Sequence, residues 1–342
     1  MKILTFIFWV CLLCVTAEAQ YRTVETIDFN GARTLSEQQL RDALQIKERE
    51  QSPSSEIIEQ AIKRLTALPN VEQADITTVC CVVDRNSKVM LYVGIREKGS
   101  PPVLEFRVTS QGAIRLTDEI VNTGKEFVVA LREAGFKDDL AEDVSQGHSL
   151  MKNAEARLVQ KKFIGIAANN LKLLRQVLRE SADPTHRALA AQIIAYSADK
   201  KLVVEDLLYG MRDSYSDVRN DSMRALGIIA EYGRNTPEKK ISVPFAPFVD
   251  LLNSIVWSDR YKSSLALLRL TENRDAKLLA ELRERALPSL FNMARWKNQK
   301  HSLAGFMILG RIGNLPEDEI AQAATRGIWE DLLAKMQKNL QP

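Results

Sequence analysis

Asp217-Val218-Arg219-Asn220-Asp221-Ser222-Met223-Arg224-Ala225-Leu226-Gly227 is the clearest stretch in the chain. An acid opens it, and Val218, Ser222, Ala225 and Leu226 follow at helical spacing, so one face is small and apolar. The same register occurs upstream as His186-Arg187-x-x-Ala190-x-x-Ile193-Ile194, with Arg187 and Arg219 32 residues apart. A weaker copy is His301-Ser302-x-x-Gly305-x-x-Ile308-Leu309-Gly310, and residues 262–270 give a weaker one still, with Ala266 in the small position. The 83 residues from Arg219 to Ser302 are close to two longer repeats. Small residues at a fixed register let neighbouring helices approach, and Ile and Leu fill the space between them. Such units cannot bury their faces singly, so the pattern predicts a stacked array.

Outward from this stretch, helix pairs are predicted at 163–181 with 184–198, 200–212 with 216–232, 245–256 with 259–271, and 276–295 with 299–312. A helix over 317–339 closes the chain within a capping segment, 314–342. The array over 163–313 resembles HEAT repeats of the short bacterial kind related to the phycobilisome-lyase type. The resemblance rests on Asp217-Val218-Arg219 with Ala225-Leu226-Gly227, then on Asp183-Pro184 before Arg187. It implies that Asp217, Arg187 and Arg219 serve within the array, in turns and between repeats. Residues 101–162 are expected to be a linker and helical segment: a hinge at Gly99-Ser100-Pro101-Pro102, an extended piece over 103–108, and helices over 116–134 and 140–161.

Residues 20–100 read differently. Ile27 and Phe29 share a strand face, Asn30-Gly31 breaks it, and Ser36 with Gln39 forms a capping box for a short helix over Leu40 and Leu44. A second helix carries Ile58, Ile62, Leu65 and Leu68 on one stripe, and Pro69-Asn70 stops it. Strand-like runs at 72–83 and 88–96 follow, parted by the turn-prone 84–87. In the second run, Val89, Leu91, Val93 and Ile95 alternate with Met90, Tyr92 and Arg96, which predicts one buried face and one face looking out. This β-α-α-β-β order resembles a POTRA (polypeptide-transport-associated) domain. The matching elements are Val24-x-x-Ile27-x-Phe29-x-Gly31, Leu65-x-x-Leu68-Pro69-Asn70-Val71, Ala74-Asp75-Ile76 and Leu91-Tyr92-Val93-x-Ile95-Arg96-Glu97. The resemblance implies a binding role, in which an exposed sheet edge takes up a strand of a partner protein. The outer-membrane barrel that usually follows such modules has no counterpart after residue 100, so a transport pore is not expected on this chain. The expected fold is therefore α+β: a small POTRA-like module, then an all-α HEAT-like solenoid.

The composition agrees. Hydrophobic residues make up 45% of the 342 and charged residues 27%, which excludes a disordered tail or a disulfide-stapled miniprotein. Lys and Arg (47) nearly balance Asp and Glu (44), so nucleic acid is not an expected partner. Lys2, an apolar run over 3–15 broken by Thr5, and Ala17-Glu18-Ala19 describe a cleavable signal peptide at 1–19. The mature chain is expected to be exported, periplasmic or envelope-associated, without a transmembrane span. Its remaining cysteines, Cys80 and Cys81, are adjacent and cannot staple distant parts of the fold.

Little points to chemistry. His148, His186 and His301 lie far from one another and from the mature cysteines, so no metal site is expected, nor any cofactor. Gly147-His148-Ser149-Leu150-Met151 begins like a nucleophile elbow but lacks the closing glycine. The acids at 138–143 read as a solvated helix start. Met90, Tyr92, Trp257, Tyr261 and Trp296 are the candidate partner-binding residues; for the last three the other reading is packing within the array. The function expected is that of a non-enzymatic adaptor or scaffold of the bacterial envelope that binds one partner by sheet-edge augmentation and another on the solenoid face, with envelope or secreted proteins as partners and peripheral association with an outer-membrane complex. The alternatives are a HEAT-like lyase acting on a protein-bound chromophore and a structural spacer.

Overall fold

The computed structural model describes residues 22–80, 88–326 and 329–340. The expected signal peptide, Cys81 and the turn at 84–87 lie outside them. The chain is α+β: a three-stranded sheet with two helices, then a region that is mostly helical. No helix among the described residues is long and apolar enough to cross a membrane.

The N-terminal module comprises β1 (Thr23–Asn30), α1 (Glu37–Leu44), α2 (Ser55–Thr66), β2 (Val71–Cys80) and β3 (Lys88–Glu97). Strand β3 is central, parallel to β1 and antiparallel to β2. Ser36 and Gln39 form the reciprocal capping box at the start of α1, and Ser54 caps α2. Leu40, Leu44, Ala61 and Leu65 of the helices meet Val24, Ile27, Val89, Leu91, Val93 and Ile95 of the sheet in one core. Glu97 ties the β1–α1 loop down. Burial opposes its ionisation, but hydrogen bonds from the backbone N–H groups of Arg33, Thr34 and Leu35 and from the Thr34 hydroxyl outweigh this and lower its pKa.

The other face of β3 departs from expectation. Met90 and Tyr92 are each 1% exposed, because that face packs on the helical array and joins its core. A half-buried pattern predicts an outward face only when nothing docks there, and docking is not visible in local alternation.

Helix α3 (Asp118–Phe136) opens the helical region. The predicted helix over 140–161 is a correction. Its first half is a hairpin, β4 (Glu142–Asp143) with β5 (Leu150–Met151), and its second half belongs to α4 (Ala154–Glu180), one helix kinked at Asn170. Gly147, at φ +70°, turns the hairpin chain, and contacts distant in sequence hold it: Tyr196 donates to the Ser149 carbonyl (2.9 Å) and Met151 N–H to Gln160 Oε1 (2.6 Å). Pairs then follow: α4 with α5 (Pro184–Ile194), α6 (Lys200–Gly210) with α7 (Ser216–Asn235), and α8 (Ala246–Leu251) with α9 (Trp257–Leu270). Next come α10 (Ala276–Arg285) and α11 (Leu287–Ala294), with Pro288 in the first turn of α11, then α12 (Gln299–Ile312). Two helices, α13 (Glu317–Arg326) and α14 (Trp329–Leu340), stand where one was expected.

A buried arginine marks the second helix of three successive pairs. Each donates to the carbonyl six residues before it: Arg187 to Ser181 (2.8 Å), Arg219 to Asp213 (2.8 Å) and Arg260 to Ser254. The third copy therefore starts at Arg260-x-x-Ser263-x-x-Ala266-Leu267, and Ser263, not Ala266, holds the small position. Arg187 and Arg219 also reach forward to the next pair in bidentate contacts, Arg187 to Asp213 (2.7 and 2.9 Å) and Arg219 to Asp259 (2.8 Å twice). The acid positions following Arg260 hold Trp296 and His301, so the ladder stops there, and among the described residues Arg260 Nη1 has no acceptor.

Residues 103–116 do not behave as a free linker. Arg107 N–H donates to the Arg212 carbonyl (2.6 Å) and Gly112 N–H to that of Glu180 (2.9 Å), while Ala182 N–H returns to Gly112 (2.7 Å). Phe106 lies over the Arg219 guanidinium at 3.9 Å. The segment is a strap across the turns of the array.

Candidate functional site

The five residues proposed from sequence as partner contacts come together in one place, the junction between module and array. Tyr92 stacks on Trp257 (5.3 Å between centroids) and meets the edge of Trp296 (5.0 Å), and Trp257 stacks on Tyr261 (4.9 Å). His301 completes the cluster, hydrogen-bonded through Nδ1 to the Tyr92 hydroxyl at 2.6 Å. The Asn298 amide lies 3.1 Å from Met90 Sδ, and Trp296 Nε1 donates to Asn30 Oδ1 (2.8 Å). Met90, Tyr92 and Trp296 are buried, so the rest of this chain already occupies them, and as a surface for a separate partner they are a correction. Gly94 is where the two parts touch most closely: a Cβ there would lie 1.9 Å from the Ile255 carbonyl oxygen. Burial, with Lys262 and Lys300 nearby, lowers the His301 pKa to about 4, so the imidazole is neutral at neutral pH. Burial raises Asp28, which accepts from the Lys297 backbone, to about 6.

Two open sites flank the junction. The first lies beside β2, which among the described residues is paired only along its β3 side. A cleft of about 590 Å³ runs between Asp75, Thr77, Thr78 and Val79 of β2 and the first turns of α7 and α9. Neither helix has a side-chain cap, and Trp257, which lines the cleft, carries a buried indole N–H with no acceptor.

The second is a recess of about 660 Å³ on the inner side of the array, walled by α3, the β4–β5 hairpin, α5, α7 and α9. Its wall carries Phe127, Val128, Leu131, Ile228 and Leu265. Its floor is polar. Arg224 pairs with Glu142 and donates to Ser149 Oγ (3.3 Å), all through Nη2, which leaves Nε and Nη1 without acceptors among the described residues. Lys200 Nζ donates to the Ala195 carbonyl (2.7 Å) and to His148 Nδ1 (3.0 Å). The proton of the neutral His148 ring is then on Nε2, a buried donor with no hydrogen-bond partner among the described residues. Burial, then Lys200, lowers the His148 pKa to about 4. Lys262 makes no hydrogen bond or ion pair with the described residues, and burial lowers it to about 8. Asp221 accepts one hydrogen bond, from the Asn220 amide (3.0 Å), and burial raises it to about 6. Among the described residues no cluster of His, Cys, Asp or Glu could hold a metal ion.

Of the residues chosen from sequence only Tyr261 lines the recess, yet a signal for the others exists. Asp221 and Lys262 each stand two places after the repeat arginine, and Gln192 and Arg224 five places after. Those register positions face the inner side, so charges there are recessed. Comparison with protein-family models, with curated proteins and with solved structures finds no match.

Proposed function

We propose that this protein is an exported, non-enzymatic adaptor whose POTRA-like module takes up a strand of a partner protein while its HEAT-like array holds the module in place. The observation that carries the reading is the unpaired outer edge of β2 opening onto the cleft beside α7 and α9. An open edge offers a row of backbone donors and acceptors, and an added strand satisfies them. The arginine ladder and the strap give the array the stiffness a scaffold needs. The N-terminal segment favours the cell envelope as its place of work.

The test is site-specific photo-crosslinking in the cell of origin. A benzophenone side chain at Thr78, exposed on β2, is expected to capture a defined protein. The same group at Glu56 of α2, away from the edge, is expected to capture none. Equal yields of the same products at both positions, or no product at Thr78, would sink the edge-binding reading.

A further inference from the structure

The recess has a composition of its own, independent of whether a protein docks on β2. Lys262 makes no hydrogen bond or ion pair with the described residues, and Arg224 binds Glu142 and Ser149 through Nη2, so its Nε and Nη1 have no acceptor among the described residues. The carboxylates of Asp221 and Glu142 offset part of this positive charge. Its mouth is apolar along one side: Val128 is 64% exposed, and Leu131 and Leu140 more than a third. Exposed valine and leucine on one stripe of α3 lie next to the buried Lys262 ammonium, which has no ion pair among the described residues, an arrangement that costs stability unless something covers it.

The size narrows the class of ligand, since about 660 Å³ falls within the range of small-molecule sites. We propose that the recess binds an amphipathic organic acid, its carboxylate held by Lys262 and Arg224 and its hydrocarbon laid against Phe127, Val128, Leu131 and Leu265 of the wall. A carboxylate gives Lys262 and Nε and Nη1 of Arg224 an acceptor, and the bonds it forms are charge-assisted on both sides. The nearby Asp221 carboxylate sets the limit on charge. It tolerates one negative group held by two cations and disfavours a ligand with a second.

The experiment is a fluorescence titration of the full chain with dansyl-undecanoate at pH 7.5, kept below the concentration at which the probe self-associates. Saturable binding at one site per chain is expected. Dodecanoate should displace the probe, and dodecyltrimethylammonium and dodecanol should do so far less well. Lys262→Met should weaken binding by about tenfold or more, since it removes a charged hydrogen-bond donor. Asp221→Asn should tighten it, because it removes a like charge. A circular-dichroism melt accompanies each variant, and the Asp221→Asn arm decides by itself if Lys262→Met does not fold. Non-saturable binding, equal displacement by the cationic amphiphile, or unchanged affinity in both variants would overturn the assignment. The photo-crosslinking at Thr78 is read separately, so the two proposals can fail independently.

Discussion

Gly94→Ala puts the smallest side chain at the closest point between module and array. The added Cβ would sit 1.9 Å from the Ile255 carbonyl oxygen, 2.6 Å from its carbonyl carbon and 2.8 Å from its Cα. Comfortable contact needs about 3.5 Å, so the two backbones must part by roughly 1.5 Å. Strand β3 is the centre of the sheet, hydrogen-bonded on both sides, and cannot move alone. The whole module must withdraw. A gap of that size forfeits about half or more of the attraction across it. Met90 and Tyr92 are fully buried there, and such side chains are worth about 1.5–3 kcal/mol each. The bond from Trp296 to Asn30 adds about 1 kcal/mol. A loss on the order of 3 kcal/mol follows.

The assay is urea unfolding followed by tryptophan emission, since Trp257 and Trp296 both sit at the junction, with amide hydrogen exchange to locate the change. Exchange should rise over 22–30 and 88–97 and stay slow in α4 to α7. Gly165→Ala in α4 is the control. It meets nothing within 4 Å and should stabilise by about 0.5–1 kcal/mol, as alanine does in a helix interior. If Gly94→Ala unfolded within about 0.5 kcal/mol of the native chain with unchanged emission, the docked arrangement would be refuted.

Asp259→Asn should cost about 3–5 kcal/mol in chemical denaturation, because Arg219 is left buried with an uncompensated charge, whereas Arg219→Met with Asp259→Leu should recover much of that loss. The stability contributed by His148 and His301 should fall below pH 6.5 and go on falling toward pH 4, against an opposite contribution from Asp28 and Asp221. His148 and His301 have folded pKa values below their unfolded ones, so each contributes stability above the unfolded value that is lost as pH drops through the folded one. His301→Gln should shallow that slope in pH-resolved melts; an unchanged slope would remove His301 from the account. Asp28 has the opposite sign. Its folded pKa is raised, so its contribution is present below pH 3.8 and is lost as pH rises through about 6. Asp28→Asn should therefore gain about 1–2 kcal/mol at pH 7.5, seen as a higher melting temperature. Lys262→Met should also melt higher than the native chain, since it removes a desolvated ammonium that makes no ion pair or hydrogen bond with the described residues; a lower melting temperature would mean that its contacts with Tyr261 and Asp221 serve the fold.

What could be read from the sequence was local. The capping box of Ser36 and Gln39, the alternation through β3 and the arginine register at 187 and 219 each span fewer than a dozen residues. Each of them specifies an element without help from elsewhere. The hairpin over 142–151 escaped because its two-residue strands have no periodicity of their own. Tyr196 and Gln160 hold it from other helices. The third repeat lies three residues earlier than the small-residue pattern alone places it, because the bond from Arg260 to the Ser254 carbonyl exists only in three dimensions. Met90, Tyr92, Trp257, Tyr261 and Trp296 lie far apart along the chain, and that an internal surface claims Met90, Tyr92 and Trp296 depends on a docking of which Gly94 is a local trace. The recess draws on α3, the hairpin, α5, α7 and α9, and no window along the chain contains it.

The place where the ladder ends explains why the module sits where it does. In the second and third pairs the position one or six residues ahead of the repeat arginine holds an acid, Asp213 or Asp259, and this acid binds the arginine of the pair before. In the fourth those positions hold Trp296 and His301, which face the sheet and meet Tyr92. The same change removes Arg260's carboxylate and builds the aromatic seat of the module, at some expense in stability for a buried guanidinium. A seated module keeps the open edge of β2 and the mouth of the recess at a constant separation. A flexible linker would spread that separation over many values and dilute the effective concentration of one site near the other. A partner strand on β2 and a ligand in the recess would therefore meet the chain in one fixed geometry, and releasing the module by Gly94→Ala should remove any coupling between them.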